Sequence, residues 1–399
     1  MKFALRSLLL IKTMIVATVN NRIYEQIQIF LYLGRTFVTD KRTVFLHIGV
    51  FKTGSSALQV FFAKNQDTLA KHGVEYPGLS ELNPARRGLV TSGNAPFIAR
   101  SLMDEEKPFY LPDHEDEHLT AFRQHLQQTK TPNVLFSSEF FSYVPPAGFE
   151  KLKEIAESEG FTLKVLAYVR EQASYLESLY IQRVKRGSVQ DLPEVYIDQI
   201  VEDEQHLFYA SLFESLADVI GQENLSIKAF VQKSLFSSTL SALGVKAGPE
   251  FNLPSSKVNV SLPLALVPLF VELNTLKPTQ TFSDQIVRDY SKFLTSSEPE
   301  KRTLLSPEFT SKIRGIYAAE NQRLSNEWFG GKAAFKYSER KYLSWEAAGH
   351  LLDAKTVAKI FGGLAIQHEV RLIRLEKAAM KLGELAGLED GWATKIKVR

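Results

Sequence analysis

Apolar positions along the 399-residue chain change their spacing sharply at Thr43. Val44-Phe45-Leu46-His47-Ile48 is a short apolar run closed by Gly49, the pattern of a buried strand. Across residues 55–72, Leu58, Phe61, Phe62 and Leu69 recur at helical spacing, and Gly73 stands just past the end. The pattern predicts strand, glycine loop, helix. Further strands are predicted at 133–138, 163–169 and 225–230, and helices near 148–158, 172–186, 207–220 and 231–243. Residues 78–132 carry several prolines and little periodicity, and read as loop. From Leu262 onward the pattern is almost all helical, with segments near 262–275, 282–295, 306–327 and 354–386.

Short strands alternating with longer helices indicate an α/β fold, a parallel sheet with helical crossovers. The expected organisation is an extension over 1–41, an α/β core over 42–260, and a helical carboxyl-terminal part over 261–399 packed on that core. In the extension, the apolar patches 8–11 and 14–19 are broken by Lys12. Neither reaches the roughly 18–20 residues of a membrane span, and no small-residue cleavage site follows. A surface helix or leader sequence is expected there, with peripheral membrane contact as the other reading. The last helix carries Val370, Ile373, Leu375, Ala378, Ala379, Leu382 and Leu385 among many charged residues. It either docks on its own domain or joins copies of the chain into a homo-oligomer.

Composition narrows the chemistry. The chain contains no cysteine, which excludes disulfides, thiol catalysis, Fe–S clusters and Cys-ligated zinc, and suits a cytoplasmic setting. Lys plus Arg is 48 against 45 Asp plus Glu, a net +3. That balance is too mild for a nucleic-acid binder, so any bound anion needs a local pocket.

One such pocket is written into Gly49-Val50-Phe51-Lys52-Thr53-Gly54-Ser55-Ser56, between the first strand and its helix. Backbone N–H groups and the positive helix end converge there, Lys52 adds charge, and Thr53, Ser55 and Ser56 add hydroxyls. The spacing is not that of the nucleotide-triphosphatase loop, because Lys52 precedes Thr53-Gly54 and the magnesium-holding Ser/Thr after Gly-Lys is missing. Arg170 leaves the carboxyl end of a strand, where open α/β sheets bind ligands, and its guanidinium fork suits phosphate. Ser178 lies eight residues on, two helical turns away. Glu139 closes the second long strand, again at the binding edge of the sheet. His47, inside a strand, reads as a core histidine.

Residues 47–59, with Asn65, Leu69, Gly73-Val74 and Tyr76-Pro77, resemble the opening of the bacterial carbohydrate-type sulfotransferases, which use 3′-phosphoadenosine 5′-phosphosulfate (PAPS) and have a P-loop-NTPase-like three-layer fold. Looser echoes continue through 220–224, 257–261, 305–307 and Glu320-Asn321, so the resemblance spans about 43–330. It implies that Lys52, Thr53, Gly54, Ser55 and Ser56 bind the 5′-phosphosulfate and that Arg170 and Ser178 bind the 3′-phosphate. It also implies a carbohydrate or glycolipid acceptor, no metal, and two catalytic groups, Lys52 and a general base, for which Glu139 is the candidate and His114, His118 and His206 the alternatives. Lys257, Asn259 and Ser261 are candidates for a nucleotide-closing loop, and Lys185 and Arg186 either favour their helix end or reach an acidic substrate or the nucleotide.

Two rivals are a P-loop kinase using ATP and magnesium, which the loop spacing disfavours, and a non-catalytic glycan-binding protein of the same fold. His114-Glu115-Asp116-Glu117-His118 matches the His-Glu-x-x-His zinc signature literally. Its acidic middle positions after a proline instead fit a solvated helix start.

Overall fold

The computed structural model describes residues 42–80, 82–107, 109–112, 114–254, 261–293, 301–337 and 340–386. Five strands, β1 (Arg42–His47), β2 (Val74–Glu75), β3 (Asn133–Ser137), β4 (Phe161–Val169) and β5 (Leu225–Ala229), form one sheet in the order β2-β3-β1-β4-β5. β1 pairs in parallel with both β3 and β4, and β2 with β3. The chain thus builds one side of β1 and then the other. The carboxyl end of β1 is the switch point where a crevice opens in sheets of this class.

Helices cover both faces, giving three layers. On one face pack α1 (Ser55–Lys64), α2 (Gln66–Lys71), α3 (Leu82–Arg86) and α10 (Leu235–Ala242), where Leu58, Phe61, Phe62 and Leu69 meet Leu135, Leu166, Tyr168 and Leu240. Tyr168 ties β4 to α10 through Ser238 Oγ (2.6 Å) and Thr239 Oγ1 (2.8 Å). The other face carries α5 (Glu115–Gln128), whose Phe122 ring lies 5.0 Å from that of Phe136, and α6 (Pro146–Ser158), whose Phe149 and Leu152 are buried. Strands buried on two sides must be apolar throughout, hence the uninterrupted runs in β1 and β3.

Three predicted elements differ. The helix expected over 55–72 is broken at Asn65, whose Nδ2 donates to the Phe61 carbonyl (2.8 Å) and the Asn252 carbonyl (2.9 Å) while its Oδ1 accepts from Asn252 N (2.6 Å). A side chain so engaged with backbone groups competes with the helix ladder. The stretch read as loop over 78–132 holds α3, α4 (Pro96–Ser101) and α5, two of them too short to show a period. The helix expected over 306–327 is two, α13 (Pro307–Ile316) and α14 (Ala318–Trp328), separated by Tyr317.

The chain divides into two compact units: the first within Met1–Tyr168 and Phe213–Val258, the second within Val169–Leu212 and Asn259–Arg399. The second unit holds α7 (Gln172–Lys185), α8 (Pro193–Ile200), α11 (Val267–Asn274), α12 (Gln280–Phe293), α13, α14, α15 (Trp345–His350) and α16 (Ala354–Leu385), with a parallel pair β6 (Arg302–Thr303) and β7 (Lys341–Tyr342); α9 (Tyr209–Ile220) starts there and runs into the first. Asn274 closes α7 by donating to the Val184 (3.0 Å) and Val189 (2.7 Å) carbonyls. Residues 1–41, Lys257 and Asn259 lie outside the described residues. Among the described residues no helix is long and apolar enough to cross a membrane.

Candidate active site

In the first unit the candidate loop grows out of the end of β1. Pairing with β4 continues past the strand: Ile48 N donates to Leu166 O (3.1 Å), Tyr168 N to Gly49 O (2.7 Å) and Val50 N to Tyr168 O (3.0 Å). The chain then turns, with Lys52 and Gly54 both in left-handed conformations (φ 62° and 85°). For lysine this backbone costs about 1 kcal/mol, so its surroundings must hold it there. Gly54 cannot be replaced freely, because a Cβ there would lie 2.6 Å from Leu235 Cδ2 and 3.1 Å from Phe230 Cε2.

Gly54 is also the N-cap of α1, where no side chain caps the helix and no acid occupies the first turn. The opening N–H groups of α1 thus have no side-chain cap, and they lie at the positive end of the dipole, the requirement for an anion cradle. Thr53 is fully buried and its hydroxyl donates to the Val50 carbonyl (2.5 Å), fastening the loop to itself. Lys52 and Ser56 are half-buried. The Phe51 ring packs 5.2 Å from Tyr143 and 6.0 Å from Phe140, which fixes the outer wall of the loop.

Those aromatic partners belong to a short 3-10 helix, Glu139–Tyr143, that follows β3. Ser138 caps it through Phe140 N (3.3 Å), leaving the Glu139 carboxylate for another task. Glu139 accepts a hydrogen bond from Ser55 Oγ, in the first turn of α1. Anion loop and carboxylate are thus joined directly within one unit. His47 sits behind them, fully buried, with Nδ1 against Ser137 Oγ (2.8 Å). Burial pulls its pKa down to about 4, so it is a neutral core residue, as its place in the strand suggested.

The second unit opens at Val169, the last residue of β4, and Arg170 follows it. Its backbone is clasped by the buried Tyr209, whose hydroxyl donates to Arg170 O (2.9 Å) and accepts from Arg170 N (3.4 Å). Burial lowers the guanidinium pKa, and the nearby Arg340 cation lowers it further, while Glu177, Tyr209 and Glu171 oppose both. Two guanidinium groups thus share a neighbourhood with the Glu177 and Glu171 carboxylates. Ser178 is half-buried on α7, next to Glu177. The buried Glu177 carboxylate accepts from Thr303 Oγ1 (2.8 Å), Leu304 N (2.7 Å) and Arg340 Nη1, and so pins the β6 segment to α7. Glu171 caps α7 through Ser174 N (2.8 Å) and pairs with Arg314 (3.1 Å).

Arg340 and Tyr209 escaped the sequence reading. Neither belongs to a local motif, and only folding brings them to Arg170. The alternative bases have partners of their own. His114 precedes α5 and pairs with Glu117 (3.2 Å), and His118 stacks on Phe97 at 5.6 Å. His206 is buried between Tyr175 (2.8 Å) and Glu204 (3.3 Å). Among the described residues, no group of three or more His, Asp or Glu side chains is placed to hold a metal ion. Lys185 pairs with Asp284 (3.2 Å), and Ser261 is exposed.

No family model matches the chain, and no curated protein does. Among solved structures it is similar to a sulfotransferase from Alicyclobacillus acidocaldarius, at a TM-score of 0.42 and 13% identity, covering 72% of this chain and 96% of that one.

Proposed function

We propose that the protein transfers a sulfuryl group from PAPS to a hydroxyl of a carbohydrate acceptor, on a polysaccharide or a glycolipid. The observation that carries this reading is the Ser55–Glu139 hydrogen bond, which puts a carboxylate beside an uncapped helix N-terminus at the end of the central strand. An anion cradle alone would fit many phosphate ligands. A cradle with an adjoining base fits transfer from an anionic donor to a neutral hydroxyl.

Each residue then has a task. The N–H groups of Thr53, Gly54, Ser55 and Ser56, with the Ser56 hydroxyl, hold the phosphosulfate; Thr53 contributes through its backbone, since its hydroxyl is engaged with Val50. Lys52 neutralises charge that builds on the oxygen bridging sulfur and the 5′-phosphate as that S–O bond breaks. Glu139 takes the proton from the acceptor hydroxyl while the acceptor oxygen forms the new O–S bond in line with the leaving oxygen. The Ser55 bond orients Glu139 for this. Arg170 and Ser178 bind the 3′-phosphate, with Tyr209 fixing the Arg170 backbone and Arg340 adding positive charge. The other product is adenosine 3′,5′-bisphosphate.

The acceptor class rests on the sequence resemblance, because loops rather than the scaffold select acceptors. The test is incubation with sulfur-labelled PAPS and a panel of neutral and acidic glycans. Label entering a glycan with matching release of the bisphosphate is the expected result. Release of the bisphosphate only with non-carbohydrate hydroxyls would overturn the acceptor class, and no release with any acceptor would overturn the enzyme reading.

A further inference from the structure

α16 spans 32 residues, yet only its first third is packed. Ile360 is fully buried and Leu364 is 6% exposed. From Ala365 onward nearly every residue is exposed, including Leu372 (48%), Leu375 (57%) and Leu382 (65%). Two open apolar stripes on one solvated helix are unfavourable, since such a helix is marginal alone and apolar patches of this kind mark contact surfaces.

The first stripe has a seven-residue repeat. Ala365, Leu372, Ala379 and Ala386 fall at one seam position and His368, Leu375 and Leu382 at the other, alternating three and four apart over three heptads. Leucine at the second position suits a two-stranded parallel pairing, and a single polar residue such as His368 near one end sets register. The second stripe, Ile366, Val370, Ile373 and Met380, lies on the opposite side and is interrupted at its centre by Lys377. It also puts isoleucine where a two-stranded coil favours leucine.

The flanking charges decide both the occupant and the direction. Glu369 and Glu376 border the first seam on one side, and Arg371 borders it on the other. In a parallel pair of identical helices, the position before one seam residue faces the position five residues on in the partner helix. Arg371 of each copy then meets Glu376 of the other, twice by symmetry. An antiparallel pair would instead set the glutamates against each other. We propose that α16 is the dimerisation helix of this protein, forming a parallel two-stranded coiled coil with a second copy through Leu372, Leu375, Ala379 and Leu382.

Sedimentation equilibrium of the full chain tests this. The wild type should be a dimer, and Leu375→Glu with Leu382→Glu should weaken association at least a hundredfold while leaving far-ultraviolet dichroism and thermal unfolding of the body unchanged, because both positions are exposed. Ile373→Glu, on the other stripe, should remain dimeric. Arg371→Glu and Glu376→Arg should each weaken self-association about tenfold, and mixing the two variant chains should restore a heterodimer. A monomeric wild type overturns the proposal, including one that instead sediments with phosphatidylserine vesicles. So does a dimer that is insensitive to Leu375 and Leu382 but lost on Ile373→Glu.

Discussion

The Ser55 hydroxyl donates to Glu139 Oε2, joining the first turn of α1 to the residue that follows β3. A half-buried carboxylate this close to a helix N-terminus opposes anion binding, whatever else it does. Removing its charge should therefore separate binding from turnover. Glu139→Gln keeps an oxygen for Ser55 but cannot accept the acceptor proton. We expect kcat to fall by about 10²- to 10⁴-fold, the usual range for a lost general base, with bisphosphate affinity unchanged or tighter. A decrease below tenfold would remove Glu139 from the base role.

The turn at Gly54 gives a stability prediction. Gly54→Ala puts a Cβ against Leu235 and Phe230 at a left-handed backbone position. Gly160 is also left-handed (φ 78°), but a Cβ there meets nothing within 4 Å. Urea unfolding should show Gly160→Ala destabilised by about 1 kcal/mol and Gly54→Ala by about 2–3 kcal/mol. Equal losses would mean that the contact with α10 yields freely.

His47 predicts a pH dependence. Its folded pKa is about 4 against about 6.5 in an unfolded chain, so between these values the unfolded state binds the extra proton. Stability from this residue is complete above pH 6.5, falls as the pH drops, and is fully lost below 4. At pH 5 the loss is about 2 kcal/mol. His47→Asn, which keeps a partner for Ser137, should make unfolding free energies at pH 7 and pH 5 differ by about 2 kcal/mol less than in the wild type. An unchanged difference would show that His47 titrates normally.

These residues show what a sequence can reveal. The β1 run and the loop after it were readable because a buried parallel strand is apolar throughout and because Gly49, Lys52 and Gly54 are neighbours in the chain. The break at Asn65 was not, since its cause is the backbone of Asn252, 187 residues away. β2 is two residues long, too short for any period to register. Glu139 could be placed at a strand end, but its bond to Ser55 spans 84 residues and emerges only from the register of β1 on β3. Arg340 reaches Glu177 across 163 residues, and nothing in its local sequence marks it. Local structure was legible, whereas contacts between distant residues were not.

Calorimetric titration of adenosine 3′,5′-bisphosphate tests most directly the proposal that Lys52 and Arg170 each contribute to nucleotide binding. Wild-type protein should bind at about micromolar Kd, and Lys52→Ala and Arg170→Ala should each weaken binding at least tenfold, consistent with loss of a charge-assisted phosphate contact. ATP with magnesium should bind far more weakly. Tight binding of ATP with magnesium and none of the bisphosphate would contradict the account, as would bisphosphate binding that neither substitution changes.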